Sequence, residues 1–134
     1  NLNDCELSDD NGSIDNFYLT GLTIAPEQYL TLAIGPIPGF TPDFDYDGQM
    51  TLGNGDDEVN IMCGGIEMDS VKYTDAEFPD TAGRSMSLSA DSISVSGNND
   101  GSNWCDGVDQ YASTADGVSG FDYGTPGAPN PVCP

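Results

Sequence analysis

The sequence predicts an all-β fold of the secreted, disulfide-bonded class, on three observations. Apolar residues recur with period two in short runs, and no stretch shows convincing helical periodicity. Turn-forming segments separate these runs, with 17 glycines and 9 prolines among 134 residues. Four cysteines without C-x-x-C spacing, in a chain that has no histidine, favour disulfides over a zinc site. The length fits one domain, residues 1–134.

The N-terminal part predicts a hairpin and one longer strand. Cys5–Leu7 and Phe17–Leu19 flank the turn-forming stretch 8–12, so we expect these two runs to pair. The run Gln28–Ile34 alternates cleanly between two faces and is the clearest strand signal in the chain. Three prolines in Gly35–Pro42 predict a loop after it.

The central part predicts a strand, a tight turn and a second hairpin. Gln49–Leu52 is expected to be a strand that ends in a turn at Gly53–Asp56. Glu58–Cys63 and Glu67–Tyr73 are predicted partners, because Gly64–Gly65 between them fits a two-residue hairpin turn of the primed type.

The C-terminal part predicts less regular structure. Asp75–Gly83 is expected to be a loop, followed by a short strand at Arg84–Ser89 with Met86 and Leu88 facing inward. Ile93–Ser96 fits another strand or an extended segment.

A covalent clamp is expected to hold the tail. Beyond Trp104 and Cys105, the chain as far as Pro129 is too rich in glycine and proline for regular structure. A disulfide from Cys105 to Cys133 would keep it ordered and would remove roughly 3 to 4 kcal/mol of denatured-state entropy. The residues alone permit three pairings of the four cysteines.

The charge of the chain excludes several partners. The formal net charge is -21, from 23 carboxylates against Lys72 and Arg84. Two cations far apart in sequence cannot form a basic groove, so we do not expect nucleic acid as a partner, and anionic membrane surfaces are disfavoured for the same reason. No apolar run reaches the ~18 to 20 residues of a membrane helix, and no signal peptide is present. We therefore expect a mature, soluble chain in a salty or divalent-rich extracellular or cell-surface medium.

Five segments distributed along nearly the whole chain are Leu2–Leu7, Tyr29–Leu32, Leu52–Val59, Gly64–Val71 and Gly124–Asn130. Read in this order, they resemble the lamin tail domain family, in particular its extracellular bacterial branch. The resemblance implies an immunoglobulin-like β-sandwich of short antiparallel strands, and a domain that decorates secreted or surface proteins. Together with the position of both cysteines beside core strands, it implies the pairing of Cys5 with Cys63, which leaves Cys105 with Cys133.

The chain departs from the family at its N-terminal end. Family members begin with two further strands before the segment that starts here at Asn1, and a sandwich without them would expose unpaired backbone and an apolar strip. Three explanations stay open: the chain is trimmed, the strands take a divergent form elsewhere in it, or a neighbouring subunit supplies them. The third would make the protein a polymer subunit completed by strand addition.

Alternating aspartates indicate a calcium site. Asp43, Asp45 and Asp47, followed by Gly48, fit the first half of an EF-hand-like loop, but Asn54 stands where the closing glutamate belongs. In the alternative interpretation, these aspartates face solvent at a strand end while the aromatic residues between them face the core. Other acidic clusters are Asp9 with Asp10, and Asp56 with Asp57 and Glu58.

Catalytic machinery is not recognisable in the sequence. Without histidine there is no Ser-His or Cys-His pair, and Gly83–Ser87 lacks the second glycine of a nucleophile elbow. Among 23 acidic residues a glycosidase-like carboxylate pair carries no specificity. We therefore expect that the protein is not an enzyme and requires no cofactor.

Two binding signals complete the inventory. Asn11–Ser13 matches a glycosylation acceptor. Several aromatic residues could form a carbohydrate-stacking platform, although the core is the expected home for most of them. They are Tyr18, Tyr29, Trp104, Tyr111, Phe121 and Tyr123.

The composition, the absence of catalytic groups and the resemblance together favour a non-enzymatic extracellular structural module. In this interpretation it is a surface or filament subunit completed by strand addition from a neighbour, with another protein or its own copies as partner. The alternative is an extracellular ligand-binding or adhesive module, stabilised by calcium.

Overall fold

A computed structural model describes residues 1–9, 15–37, 39–113 and 121–134. These residues form ten short strands and one 3-10 turn, and none of them is in an α-helix. The all-β class is confirmed. The strands are β1 Cys5–Ser8, β2 Asn16–Tyr18, β3 Leu32–Ala33, β4 Phe44–Asp45, β5 Asp57–Cys63, β6 Ile66–Tyr73, β7 Met86–Leu88, β8 Trp104–Asp106, β9 Gln110–Ser113 and β10 Phe121–Tyr123.

The main sheet is antiparallel and has the strand order β2-β1-β5-β6. Both predicted hairpins are confirmed: β1 pairs with β2, and β5 pairs with β6. Gly64 and Gly65 have positive φ angles of 57° and 80°, which a primed two-residue turn requires and which glycine adopts without steric cost. Because β5 is the one neighbour of β6 among the described strands, β6 forms an edge of this sheet.

The inner face of the main sheet, which carries Cys5, Phe17 and Ile61, forms the core. Phe17 is only 2% exposed, and its ring stacks on those of Phe44 and Tyr46 at centroid distances of 5.7 and 4.8 Å. Burying an aromatic side chain of this size stabilises the fold by about 1.5 to 3 kcal/mol. The segment from Phe44 onward is therefore held to the sheet by ring packing more than by backbone pairing.

Two disulfides join the cysteines as expected. Cys5 and Cys63 are directly opposed residues of β1 and β5, so the bond crosslinks the two central strands of the main sheet at one end of their pairing. Cys105 of β8 is bonded to Cys133 in the tail, as the clamp requires. Both predicted pairings are confirmed, and no cysteine is free.

Three two-stranded sheets complete the fold. β3 and β4 pair in parallel, whereas β7 with β8 and β9 with β10 pair antiparallel. The prediction that the tail beyond Cys105 lacks regular structure is therefore wrong. Alternating residues at Gln110–Ser113 and Phe121–Tyr123 form a ladder despite the glycines around them.

Two strand predictions in the first half of the chain are wrong, one in its extent and the other altogether. Of Gln28–Ile34, only Leu32–Ala33 is a strand, because the backbone N–H of Thr31 donates to the Asp43 carboxylate and Gly35 turns the chain at a φ of 64°. Gln49–Leu52 is not a strand. The Gln49 N–H donates to the Tyr46 carbonyl in a turn, and Met50 in this stretch is buried in the core.

Of two predictions further along the chain, one is wrong in the extent and the facing of its strand, and the other is wrong. Arg84–Ser89 shortens to Met86–Leu88, and the buried residues are Ser87 and Ser89 instead of Met86 and Leu88, which are half-buried. An alternation of methionine, leucine and serine fits either face, and hydrogen bonds to Ser85 and Asp91 satisfy the two inward hydroxyls. Ile93–Ser96 is not a strand but enters a series of turns.

Removal of either disulfide is expected to destabilise the fold. The two bonds join residues separated by 58 and 28 positions. Loop-closure entropy then predicts losses of about 4 kcal/mol for Cys5→Ala with Cys63→Ala, and about 3.5 kcal/mol for Cys105→Ala with Cys133→Ala. Urea unfolding of the three proteins measures both losses. A cost below about 1 kcal/mol for each pair would contradict the entropic account.

Candidate functional site

The free edge of β6 is the most extended unpaired surface that the main sheet presents. The N–H of Gly64 donates to the carbonyl of Asp4 at 2.9 Å, so even-numbered residues of β5 direct their backbone groups toward β1. The odd-numbered residues of β5 therefore bond to β6. Ser70 and Lys72, which stand opposite the even-numbered Asn60 and Glu58, direct their N–H and C=O groups outward, away from the sheet.

A bulge changes the pattern near the start of β6. Asp69 stands opposite Ile61 and Glu67 stands opposite Met62, so Met68 is the extra residue on the β6 side. Met62 is even-numbered, and its partner Glu67 is therefore the third residue whose backbone groups point outward.

One of the outward groups is capped within the chain. The Ser70 N–H donates to Asp69 Oδ1 at 3.0 Å, while Asp69 Oδ2 accepts from Asn98 Nδ2 at 2.8 Å. Within the described ranges, no backbone group forms a hydrogen bond to the outward N–H or C=O groups of β6. An edge with unpaired groups of this kind is a template for another strand.

Exposed apolar side chains stand near the start of β6, and an exposed cation stands near its end. Ile66 and Met68 are 68% and 53% exposed. Lys72 lies 3.9 Å from Glu58 but is itself 65% exposed, so this ion pair contributes little to stability. On the inner face, a mainly apolar groove of about 200 Å³ is lined by Leu7, Val59, Ile61, Asp69, Ser70 and Val71.

A cleft of about 360 Å³ lies elsewhere on the molecule, between β7, β9 and the tail. None of the described residues that line it is charged, although the chain carries 25 charged residues. Its aromatic lining is Tyr29, Phe40 and Tyr111, with the last two rings in edge contact at 5.7 Å. Gly124 makes room for this arrangement, because a Cβ there would lie 2.8 Å from the Ser85 hydroxyl and 3.6 Å from the Tyr111 ring.

The Tyr111 hydroxyl can act as a hydrogen-bond donor in this cleft. Burial raises the pKa of Tyr111, and the nearby Asp122 carboxylate raises it further. The phenol therefore stays protonated at neutral pH. Within the described part of the chain, neither Tyr29 nor Tyr111 uses its hydroxyl in a hydrogen bond.

The predicted calcium ligands Asp43, Asp45 and Asp47 are exposed. Asp43 Oδ2 accepts from both the N–H and the hydroxyl of Thr31, at 2.8 and 2.9 Å. Asp45 Oδ1 accepts from the N–H groups of Gly35 and Asp47, at 3.0 and 2.9 Å. The side chains of Asp43 and Asp45 thus cap the loop backbone, and calcium binding stays a prediction.

These hydrogen bonds also stabilise the charged carboxylates. The backbone and then the side-chain bond from Thr31 lower the pKa of Asp43, and the bonds from Gly35 and Asp47 lower the pKa of Asp45. The resulting stability is present above the ordinary pKa of aspartate and is lost as the pH falls through the lowered one.

The other acidic clusters make local contacts. Asp57 accepts from the N–H groups of Gly53 and Glu58, and Asp56 accepts from the Asp75 N–H at 3.1 Å. Asp9 is 2% exposed, whereas Asp10 lies outside the described residues. Among the residues that the structure describes, no group of three or more Asp, Glu, His or Cys side chains could hold a metal ion.

Tyr73 lies close to two of these carboxylates. Burial is the main cause that raises the pKa of Tyr73 to about 12, with further contributions from Asp57 and Asp9. Its hydroxyl donates to the Gly53 carbonyl at 2.7 Å, which ties β6 to the turn before β5.

The six aromatic residues of the predicted carbohydrate platform do not converge. Tyr29 and Tyr111 line the cleft, but Trp104 packs on Phe78 and Tyr18 is exposed on β2. Phe121 and Tyr123 belong to β10. The predicted acceptor Asn11–Ser13 lies outside the described residues.

Comparison with protein-family models, with characterised proteins and with solved structures finds no match to this chain. The resemblance to lamin tail domains therefore stays a prediction. No helix among the described residues is long and apolar enough to cross a membrane.

Thr31→Val is expected to raise the pKa of Asp43 toward the ordinary value of an aspartate. Valine keeps the backbone N–H but removes the hydroxyl that bonds to the carboxylate. NMR titration of the side-chain carboxyl carbons measures the change, with Asp45 as internal control because its partners are Gly35 and Asp47. An unchanged pKa of Asp43, or an equal rise for both groups, would show that the hydroxyl is not the cause.

Proposed function

We propose that this chain is a non-enzymatic extracellular structural module that joins protein chains by strand addition at the β6 edge. The observation that carries the proposal is an eight-residue strand with one neighbour in its sheet and outward backbone groups at Glu67, Ser70 and Lys72. Backbone hydrogen bonds along an edge give affinity, and pockets for alternate side chains give specificity.

The surroundings of the edge fit this role. Ile66 and Met68 offer exposed apolar surface, and the groove beside Val59 and Val71 can take side chains of an incoming strand. An exposed edge of this length is one that native proteins normally pair or cover. In the immunoglobulin-like sandwich of the lamin tail family, an added strand would extend the main sheet.

The cysteines and the composition support the extracellular compartment and the role without catalysis. Two disulfides that cross-connect distant parts of the chain fit an oxidising, extracellular medium. The sequence has no histidine, and all four cysteines are oxidised, so the usual nucleophile and base pairs are missing. Calcium at Asp43, Asp45 and Asp47 would lower the negative charge but is not required by this proposal.

Ser70→Pro is expected to block association through the edge. Proline removes the outward N–H of Ser70, but the hydrogen bonds between β6 and β5 are all kept, because this N–H does not point toward β5. Ser70→Thr is the matched control, because threonine keeps the N–H and suits a strand. Sedimentation equilibrium of the three proteins over a wide concentration range, at about 0.15 M salt where the Debye length is about 8 Å, measures the association.

We expect the parent chain and Ser70→Thr to associate with rising concentration, and Ser70→Pro to stay monomeric. Added salt should strengthen the association, because each chain carries a net charge of -21 that repels its partner. A parent chain that stays monomeric throughout, or equal association of all three proteins, would rule out strand addition between copies at this edge.

Binding of a neutral carbohydrate is a second candidate function, favoured by the uncharged cleft. Its volume of about 360 Å³ falls within the range of ligand pockets. Sugar rings stack on aromatic faces and bond to hydroxyls such as those of Tyr29 and Tyr111. The negative field of the chain would exclude anionic sugars.

Tyr111→Ala is expected to abolish binding of neutral oligosaccharides on a glycan array, with Tyr18→Ala as a control that removes an exposed tyrosine outside the cleft. Gly124→Ala should weaken binding as well, since its Cβ would press on Ser85 and Tyr111. Saturable binding that survives Tyr111→Ala would place the carbohydrate elsewhere, and an array without neutral hits would end this candidate.

A further inference from the structure

The charges along the free edge of β6 are self-complementary. The three residues with outward backbone groups are Glu67, Ser70 and Lys72, in that order along the strand. A two-fold axis through Ser70 exchanges the acidic position of one copy with the basic position of the other. We infer that the strand added at this edge is β6 of a second copy, paired antiparallel about Ser70. This inference rests on the proposed function and specifies its partner.

The bulge makes this register geometrically consistent. In a regular strand, Glu67 and Lys72 are five residues apart and would lie on opposite faces of the sheet. Met68 is an extra residue in β6, so both charged side chains lie on the outer face with Ser70. A two-fold axis perpendicular to the sheet places the outer faces of both copies on the same side of the joined sheet, because directly opposed residues of an antiparallel pair share a face.

The register opposes two pairs of opposite charges, because Glu67 of each copy stands opposite Lys72 of the other. At the centre, the N–H of each Ser70 donates to the carbonyl of the other and leaves its present acceptor, Asp69 Oδ1. Opposite charges placed directly across strands stabilise a pair, and like charges destabilise it.

Other registers lose this match. A shift by one alternate position sets Lys72 opposite Ser70 and moves Glu67 beyond the end of the partner strand. A parallel, in-register arrangement sets each charge beside its own copy, which repels. Lys72 is one of only two cations in the chain, so the edge of β6 is a rare place where a copy of this acidic protein meets an opposite charge.

The symmetry sets the size of the assembly at this contact. A two-fold pairing uses the same surface on both chains and therefore closes as a dimer. The long-range repulsion between two chains of charge -21 is screened by salt, whereas charges opposed across the strands are closer than a Debye length of about 8 Å and keep attracting.

Charge exchange between Glu67 and Lys72 tests the register. All variants are made with Glu58→Gln, which removes the intrachain partner of Lys72 but keeps an acceptor for Asn60. We expect Glu67→Lys and Lys72→Glu each to weaken dimerisation by about tenfold or more, and the double variant to return within about threefold of the parent. Sedimentation equilibrium at about 0.15 M salt measures the dissociation constants.

Asp109→Lys is the matched control for Glu67→Lys. It makes the same change in net charge at an exposed residue far along the chain from β6. Lower net charge weakens the repulsion between copies, so we expect this control to dimerise as tightly as the parent or more tightly. If Glu67→Lys dimerises more weakly than this control, the loss is due to the contact between Glu67 and Lys72 and not to the change in net charge.

The outcomes separate the register from the proposed function. In one outcome Ser70→Pro blocks dimerisation, but the double variant does not regain the affinity of the parent, or Glu67→Lys dimerises as tightly as Asp109→Lys. The edge is then used in another register, and this inference fails alone. If Ser70→Pro dimerises like the parent, or the parent remains monomeric, strand addition at β6 fails as well. Recovery by the double variant together with loss in both single variants establishes the two-fold pairing.

Discussion

The pairing of β1 with β5 is the constraint on which the rest of the molecule depends. The two strands are far apart in sequence, and their opposed residues Cys5 and Cys63 are joined covalently. This contact sets the two local hairpins side by side and makes one continuous inner face from them. Phe17 and the rings of Phe44 and Tyr46 then have a surface to pack on. It also sets β6 at the end of the sheet, where nothing in the described part of the chain pairs with its outer edge.

The outer edge of β6 is exposed but carries features that limit its pairing with other strands. A bulge at Met68, the carboxylate of Asp69 beside Ser70 and the charge of Lys72 are devices by which proteins discourage indiscriminate pairing of sheet edges. In the proposed pairing each of them would also discriminate among partners, since a partner must match the spacing that the bulge creates and offer an acidic group to Lys72. The same residues would then both discourage aggregation and select the strand that binds.

Much of the fold could be predicted from the residues, and the failures have identifiable causes. The hairpin at Gly64–Gly65 was predictable because two adjacent glycines between alternating runs have one strong local solution. The strand Gln28–Ile34 was not predictable in its extent. Its alternation is real, but its one partner among the described strands is the short strand β4, and the N–H of Thr31 donates to the Asp43 carboxylate. The tail strands β9 and β10 were missed because glycine content outweighed a weak alternation. At the candidate site, charges and apolar residues were readable, whereas edge position and the bulge depend on long-range pairing.

The two disulfides also determine how the chain transmits a mechanical load. Tension applied at the ends passes from Cys5 directly to Cys63 and from Cys105 directly to Cys133, so residues between the members of each pair carry none of it. Only the segment 63–105 can unravel between the bonds, to about 140 Å, whereas a chain of 134 residues without them would extend to about 450 Å. The β5–β1 hydrogen bonds and most of the core are thereby shielded from the applied tension. Under force the molecule lengthens by only a small part of its full chain length.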